Sequence, residues 1–277
     1  MDMLQALLLG IVEGVTEFLP VSSTGHLTIV EELLGMKVDD AGVTAFTAII
    51  QVGAIIAVVG YFARDIVALV RAWAVGLGNR EQRGVDYRLA WFVIIGSIPV
   101  GIVGFLARDV ISGGLRNLWV VVAALVLWSI PMVLAERVGR RIRPLEQVTI
   151  RDAVVIGLVQ CLALIPGVSR SGATISAGLF LDIDRVAATR ISFYLSIPAL
   201  VAAGGYEAAT QASAISASVG WGPTMLAMLV SLVVAWVSIA WLLRLVAHHS
   251  IVVFVWYRVA LAAVVAGLLA AGVIAAA

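Results

Sequence analysis

Apolar residues run along this chain in stretches of bilayer length, interrupted by clusters of arginine, proline, glycine and serine. Charge-free runs cover 41–63, 89–107, 117–135, 191–206, 208–243 and 259–277, and a membrane-spanning helix needs about 20 mostly apolar residues. The run 208–243 holds Gly220, Gly222 and Pro223, which divide it into a connection and a helix from residue 223. The pattern predicts an all-α polytopic membrane protein with six transmembrane helices, near 42–62, 88–107, 117–135, 187–207, 223–243 and 252–273.

Two regions break this pattern. Residues 3–34 are interrupted by Glu13, Glu17, Pro20 and His26, and residues 152–181 by Pro166, Gly167 and Arg170. Each reads as two short helices around a break. Irregular backbone at membrane depth is tolerated only inside protein or against a wet cavity, so both are expected to be re-entrant helix pairs.

Arginines set the expected orientation, because short cytoplasmic loops are enriched in Lys and Arg. Arg64, Arg71, Arg80, Arg83 and Arg88 follow the first span, and Arg137, Arg140, Arg141, Arg143 and Arg151 follow the third. Both segments are expected inside, as is Arg244 with the interfacial His248 and His249, whereas the connection 208–222 has no Lys or Arg and is expected outside. Residues 1–41 then begin and end outside, and 152–185 begin and end inside. Trp73, Trp119, Trp221 and Trp241 fall near span ends, as interfacial anchors do.

Sliding the chain against itself by 147 positions places Gly10 on Gly157, Ser22 on Ser169, Gly25 on Gly172 and Phe46 on Phe193. With the opposed orientations this predicts an inverted-topology repeat. A single integral membrane domain, 1–277, would hold repeat 1 over about 1–135, a cytoplasmic linker over about 136–151 and repeat 2 over about 150–277. Such repeats place broken helices and the binding site near the midplane.

Composition agrees: 62% of the residues are hydrophobic and 13% charged, against roughly 25% charged in soluble domains. The net charge of +1 implies no nucleic-acid partner. Cys161 stands alone and reads as a packed side chain, with no disulfide or thiolate metal site. Asp2 and the missing basic segment before the first apolar run argue against a cleaved signal peptide.

Ionisable residues at membrane depth are costly and mark function. Glu13 and Glu17 lie one helical turn apart, and two carboxylates there repel unless one is protonated or a cation intervenes. Carboxylate oxygens suit Mg²⁺ or Ca²⁺. Arg170 offers a fork for phosphate oxygens, with Ser22, Ser169, Ser171 and Thr174 as further donors around the breaks. Ser23 and His26, three apart, form a candidate nucleophile and base. Gln51 and Tyr194 could line the cavity but equally suit bonds between helices, and are left outside the core site.

Glu-x-x-x-Glu at 13–17, Pro-Val-Ser-Ser-Thr-Gly-His at 20–26 and Pro-Gly-Val-Ser-Arg-Ser-Gly-Ala-Thr at 166–174 resemble the bacterial undecaprenyl-diphosphate phosphatase family, also known for bacitracin resistance. The resemblance covers essentially the whole chain. It implies metal-dependent hydrolysis of undecaprenyl diphosphate to undecaprenyl phosphate and inorganic phosphate in the bacterial plasma membrane, recycling the carrier for peptidoglycan synthesis. Glu13 and Glu17 would bind the metal or activate the attacking group, Ser23 and His26 are the nucleophile candidates, and Arg170 would hold the diphosphate. The re-entrant tips suggest a pocket opening toward the outer face; the lipid substrate and membrane lipids are the expected partners, and a homodimer is admitted. The competing reading is a polyprenyl-phosphate transporter or flippase, which uses the same repeat design. A phosphatidic-acid-type phosphatase is excluded on spacing, because Ser176 and Phe180 stand where that family has His and Asp.

Overall fold

The computed structural model describes residues 1–36, 40–107, 110, 115, 117–217 and 219–276, without the side chains of 41, 203 and 206–217. The chain is helical throughout these residues, with one isolated bridge, Arg143 to Ile183, as the extended pairing among them. Among the described residues, five helices are long and apolar enough to cross a membrane: α3 (Ala41–Tyr61), α5 (Val85–Leu106), α6 (Leu118–Val138), α10 (Trp221–His248) and α11 (Val252–Ala270).

The expected span near 187–207 lies inside α9 (Arg185–Ala217), a longer helix packed on α3, α5 and α10. It carries buried Thr189, Ser192 and Ser196, and its Arg190 is paired with Asp65 at 2.6 Å. The connection expected at 208–222 is also shorter than its composition suggests, because the alanine-rich stretch to Ala217 continues the helix; residue 218 lies outside the described residues. Between the first two spans, where only an arginine-rich connection is expected, stands α4 (Ala63–Gly78). Its Ile66 and Leu69 pack on the core, a helical spacing hidden among charges.

The two broken regions form α1 (Met3–Thr16) with α2 (Ser23–Leu33), and α7 (Ile150–Gln160) with α8 (Arg170–Phe180). At 1.5 Å per residue the longest of these reaches about 21 Å, short of a hydrocarbon core of about 30 Å. None of the four is therefore long enough to span alone. The two pairs are built alike. Asp2 caps α1 in a capping box with Gln5, and Thr149, 147 positions later, caps α7 in a capping box with Asp152. Ser22 and Ser169 cap α2 and α8 at φ 76° and 75°, each accepting from the glycine N–H three residues on. A serine at positive φ is uncommon, and here it recurs at one register.

Packing crosses between the halves. Helix α1 lies along α10, and α7 lies along α5. Contact is close enough that a Cβ on Gly10 would run into the Ala227 carbonyl, and one on Gly157 into the Gly96 carbonyl. Small residues permit such approach between membrane helices. At the arginine-rich end, Glu136 accepts from Arg141, Arg185 and the Ile251 N–H, and Arg143 pairs with Asp152 at 2.6 Å. Asp182 accepts from the Arg140 guanidinium and N–H, which hold its carboxyl below the usual range. That brace is complete at neutral pH and is lost as pH falls through the lowered value.

Gly10→Ala and Gly157→Ala are each expected to cost about 2–4 kcal/mol, since helix must separate from helix to admit the methyl group. Thermal unfolding of the purified protein in detergent checks this; an unchanged midpoint for either would contradict the close crossing.

Candidate active site

The break after α1 and the break after the short 3-10 turn Cys161–Leu164 meet in the interior and satisfy each other. Ser22 Oγ accepts from the Gly167 N–H at 3.1 Å and from the Gly25 N–H at 3.4 Å. Ser169 Oγ donates to the Leu19 carbonyl at 3.4 Å and accepts from the Gly172 N–H at 3.2 Å. Gly167 is at φ +99°, where a side chain is strained, and packs against the backbone of Val121. Arg258, fully buried, donates to the carbonyls of Pro20 (3.2 Å), Gly167 (2.9 Å) and Ala124 (3.3 Å) and to Ser129 Oγ (3.3 Å).

This union brings Glu17, Ser23 and Arg170 together. Arg170 Nη2 donates to Glu17 Oε1 at 2.9 Å, and Ser23 Oγ donates to Glu17 Oε2 at 2.6 Å. The guanidinium also lies 6.0 Å from the centre of the Phe18 ring. Of the buried atoms without a partner among the described residues, two belong to these candidate residues: Arg170 Nη1 and Glu13 Oε1. An unsatisfied buried donor and acceptor are each costly, and both are open to a ligand atom. Beside them a cavity of about 170 Å³ lies between α1, α2 and α3, with Glu13, Ser23, Thr24, Thr28, Glu31 and Thr47 on its walls. Thr47 Oγ1 donates to Glu31 Oε1 at 2.8 Å.

The expected Ser23–His26 pair does not form. His26 Nδ1 lies 2.7 Å from the Ser22 carbonyl, which can only accept, so this nitrogen carries the proton; Nε2 then accepts from Tyr257 Oη at 2.7 Å. The two rings stack at 5.6 Å. Ser23 has turned to a carboxylate, the stronger acceptor. Among the other expected phosphate donors, Ser22 and Ser169 are committed to the breaks, and Ser171 Oγ lies 3.1 Å from Ser169 Oγ. Thr174 Oγ1 donates to the Arg170 carbonyl and lies 2.7 Å from Ser192 Oγ, and Thr174 is not among the residues that line the cavity.

Sequence reasoning missed Tyr257, Arg258, Glu31 and the threonines, and set aside Gln51, which lines the cavity. Arg258 had a signal: a lone arginine inside an apolar span. The threonines had none, since each also suits a bond to its own helix. For a metal, the cavity offers carboxylate and hydroxyl oxygens, and Glu13 has an oxygen to spare, which fits a hard cation. Glu17 fits only by sharing, with both oxygens already engaged. Among the described residues no three His, Cys, Asp or Glu side chains stand ready as a preformed cluster.

The bacitracin resistance protein BacA family matches residues 6–264. The chain belongs to this family. It is 56% identical to the undecaprenyl-diphosphatase of Cutibacterium acnes, with 99% of each chain covered. It is 54% identical to undecaprenyl-diphosphatase 3 of Frankia casuarinae across both whole chains. With the undecaprenyl-diphosphatase of Mycolicibacterium smegmatis it shares 49% identity, again over 100% of both. Every residue of the site built on Glu13, Glu17, Ser23 and Arg170 lies inside the BacA match.

In this BacA-family fold Ser22 serves two buried N–H groups, one from each break. Ser22→Ala is expected to lower stability by about 1–3 kcal/mol, read as a fall in unfolding midpoint; a midpoint equal to wild type would show that the cross-brace carries no weight.

Proposed function

We propose that this membrane-embedded site hydrolyses undecaprenyl diphosphate to undecaprenyl phosphate and inorganic phosphate. The observation that carries the reading is Glu17 holding Ser23 with one oxygen and Arg170 with the other, beside a polar cavity in an apolar protein. A diphosphate head group suits the cavity while its polyprenyl tail stays in lipid. Family membership and the relatives' common name support the same reaction.

Arg170 is held by Glu17 through Nη2, which leaves Nη1 to take a non-bridging oxygen of the terminal phosphate. Ser23 attacks that phosphorus; the Oγ–P bond forms, the bond to the bridging oxygen breaks, and Glu17 accepts the hydroxyl proton. Undecaprenyl phosphate leaves, and water then releases the phosphate from Ser23 with Glu17 again managing the proton. His26, turned to Ser22 and Tyr257, orients the start of α2. Glu13 and Glu17 would hold Mg²⁺ or Ca²⁺, which supplies charge neutralisation to the diphosphate oxygens. Phosphoryl transfer gains mainly from such positioning and charge stabilisation.

Glu17→Ala, Ser23→Ala and Arg170→Ala are each expected to lower phosphate release in detergent at least ~100-fold, with His26→Ala costing less. A folded Arg170→Ala protein turning over normally would remove the phosphate-holding role. Activity should vanish in excess chelator and return with Mg²⁺ or Ca²⁺; full activity in chelator would sink the cation. The crossed repeat also suits a transporter. Detergent solution has no compartments, so phosphate release there is hydrolysis, and its absence would favour transport.

We place the chain in the plasma membrane with the site opening outward, because the arginine-rich loops should lie inside. A cysteine at exposed Gly222 should react with an impermeant thiol reagent on intact cells and one at exposed Arg80 only after permeabilisation. The reverse pattern would invert the protein.

A further inference from the structure

Arg258 is a buried cation with no carboxylate among its partners: three carbonyls and one serine hydroxyl take its hydrogen bonds. Carbonyl dipoles satisfy N–H groups without cancelling a charge, and buried charges are ordinarily paired. Two of those carbonyls, Pro20 and Gly167, belong to the two breaks that carry Ser22–Ser23 and Ser169–Arg170. The charge therefore stands directly behind the phosphate site. In front of it Glu17 and Arg170 form an ion pair, and Glu13 adds a further acidic group on the cavity wall. Before any cation binds, those three groups offer a polyanion a single guanidinium, already paired with Glu17.

We infer that Arg258 is a positioning residue that supplies the second positive charge for the diphosphate head group, acting through the two breaks rather than by touching the ligand. The inference rests on the diphosphate reading above. It separates from a purely structural brace because charge and hydrogen bonding can be changed independently. Arg258→Lys keeps the charge with fewer donors. Ser129→Asp keeps the guanidinium and sets a carboxylate beside Arg258 Nε, cancelling the charge in place, and Arg258→Gln removes the charge while keeping an amide donor.

Inorganic pyrophosphate binding to the purified full-length chain, measured by calorimetry in detergent alongside the unfolding midpoint, reads the difference. Ser129→Asp and Arg258→Gln should each weaken binding about tenfold, and Arg258→Lys should stay within about threefold of wild type. Wild-type affinity in a folded Ser129→Asp protein, or a loss in Arg258→Lys as large as in Ser129→Asp, would overturn the inference. Wild-type protein that binds pyrophosphate but releases no phosphate from a polyprenyl diphosphate would instead remove the enzymatic reading and leave the charge assignment standing.

Discussion

Two interruptions of helical hydrogen bonding lie inside an apolar protein, and each can exist only because the other completes it. Backbone groups freed at membrane depth find no water, so partners must come from the protein. Ser22 reaches the Gly167 N–H, Ser169 reaches the Leu19 carbonyl, and Arg258 takes a carbonyl from both sides. Everything chemical sits within a few residues of these bonds. Glu17 and Ser23 flank the first break, and Arg170 opens the helix after the second. The bonds that make irregular backbone tolerable are the same bonds that set the distance between carboxylate, hydroxyl and guanidinium.

The repeat explains how one chain obtains two breaks that fit. Capping boxes, positive-φ serines and close glycine crossings recur 147 positions apart, each in the same structural role. Because α1 packs on α10 and α7 on α5, neither half can close without the other. Symmetry of the backbone leaves the side chains free to diverge. Glu13, Glu17 and His26 correspond to Gln160, Leu164 and Ala173, and Ser23 corresponds to Arg170. One half carries acids and a hydroxyl, the other a cation, and Ser23 and Arg170 meet through Glu17 at the junction.

Local features were legible in the sequence, and features decided across the bundle were not. The breaks announce themselves through Pro, Gly and Ser, and the spans through length and hydropathy, the one expected at 187–207 falling inside α9. Helix α4 is hidden because its core-facing Ile66 and Leu69 are set among arginines. The Ser23–His26 contact fails for another reason: spacing places the two near one another, yet cannot say that Glu17 competes for the hydroxyl and Tyr257 for the imidazole. Tyr257 lies 231 positions from His26, and no local pattern joins them. Arg258 was visible as a residue, but its partners come from four separate segments.

Glu17 is the point where these constraints become chemistry. A carboxylate with one oxygen on Arg170 and the other on Ser23 cannot move toward one without loosening its hold on the other. In the proposed reaction, phosphate oxygens arriving at Arg170 would compete with Glu17 for the guanidinium, and a Glu17 carboxylate that shifts at Arg170 also shifts at Ser23. That would couple binding to the position of the hydroxyl. An isolated Ser–Glu pair would lack that coupling, and a fully satisfied Arg170 would have no place for the phosphate; the unpartnered Nη1 keeps both conditions open.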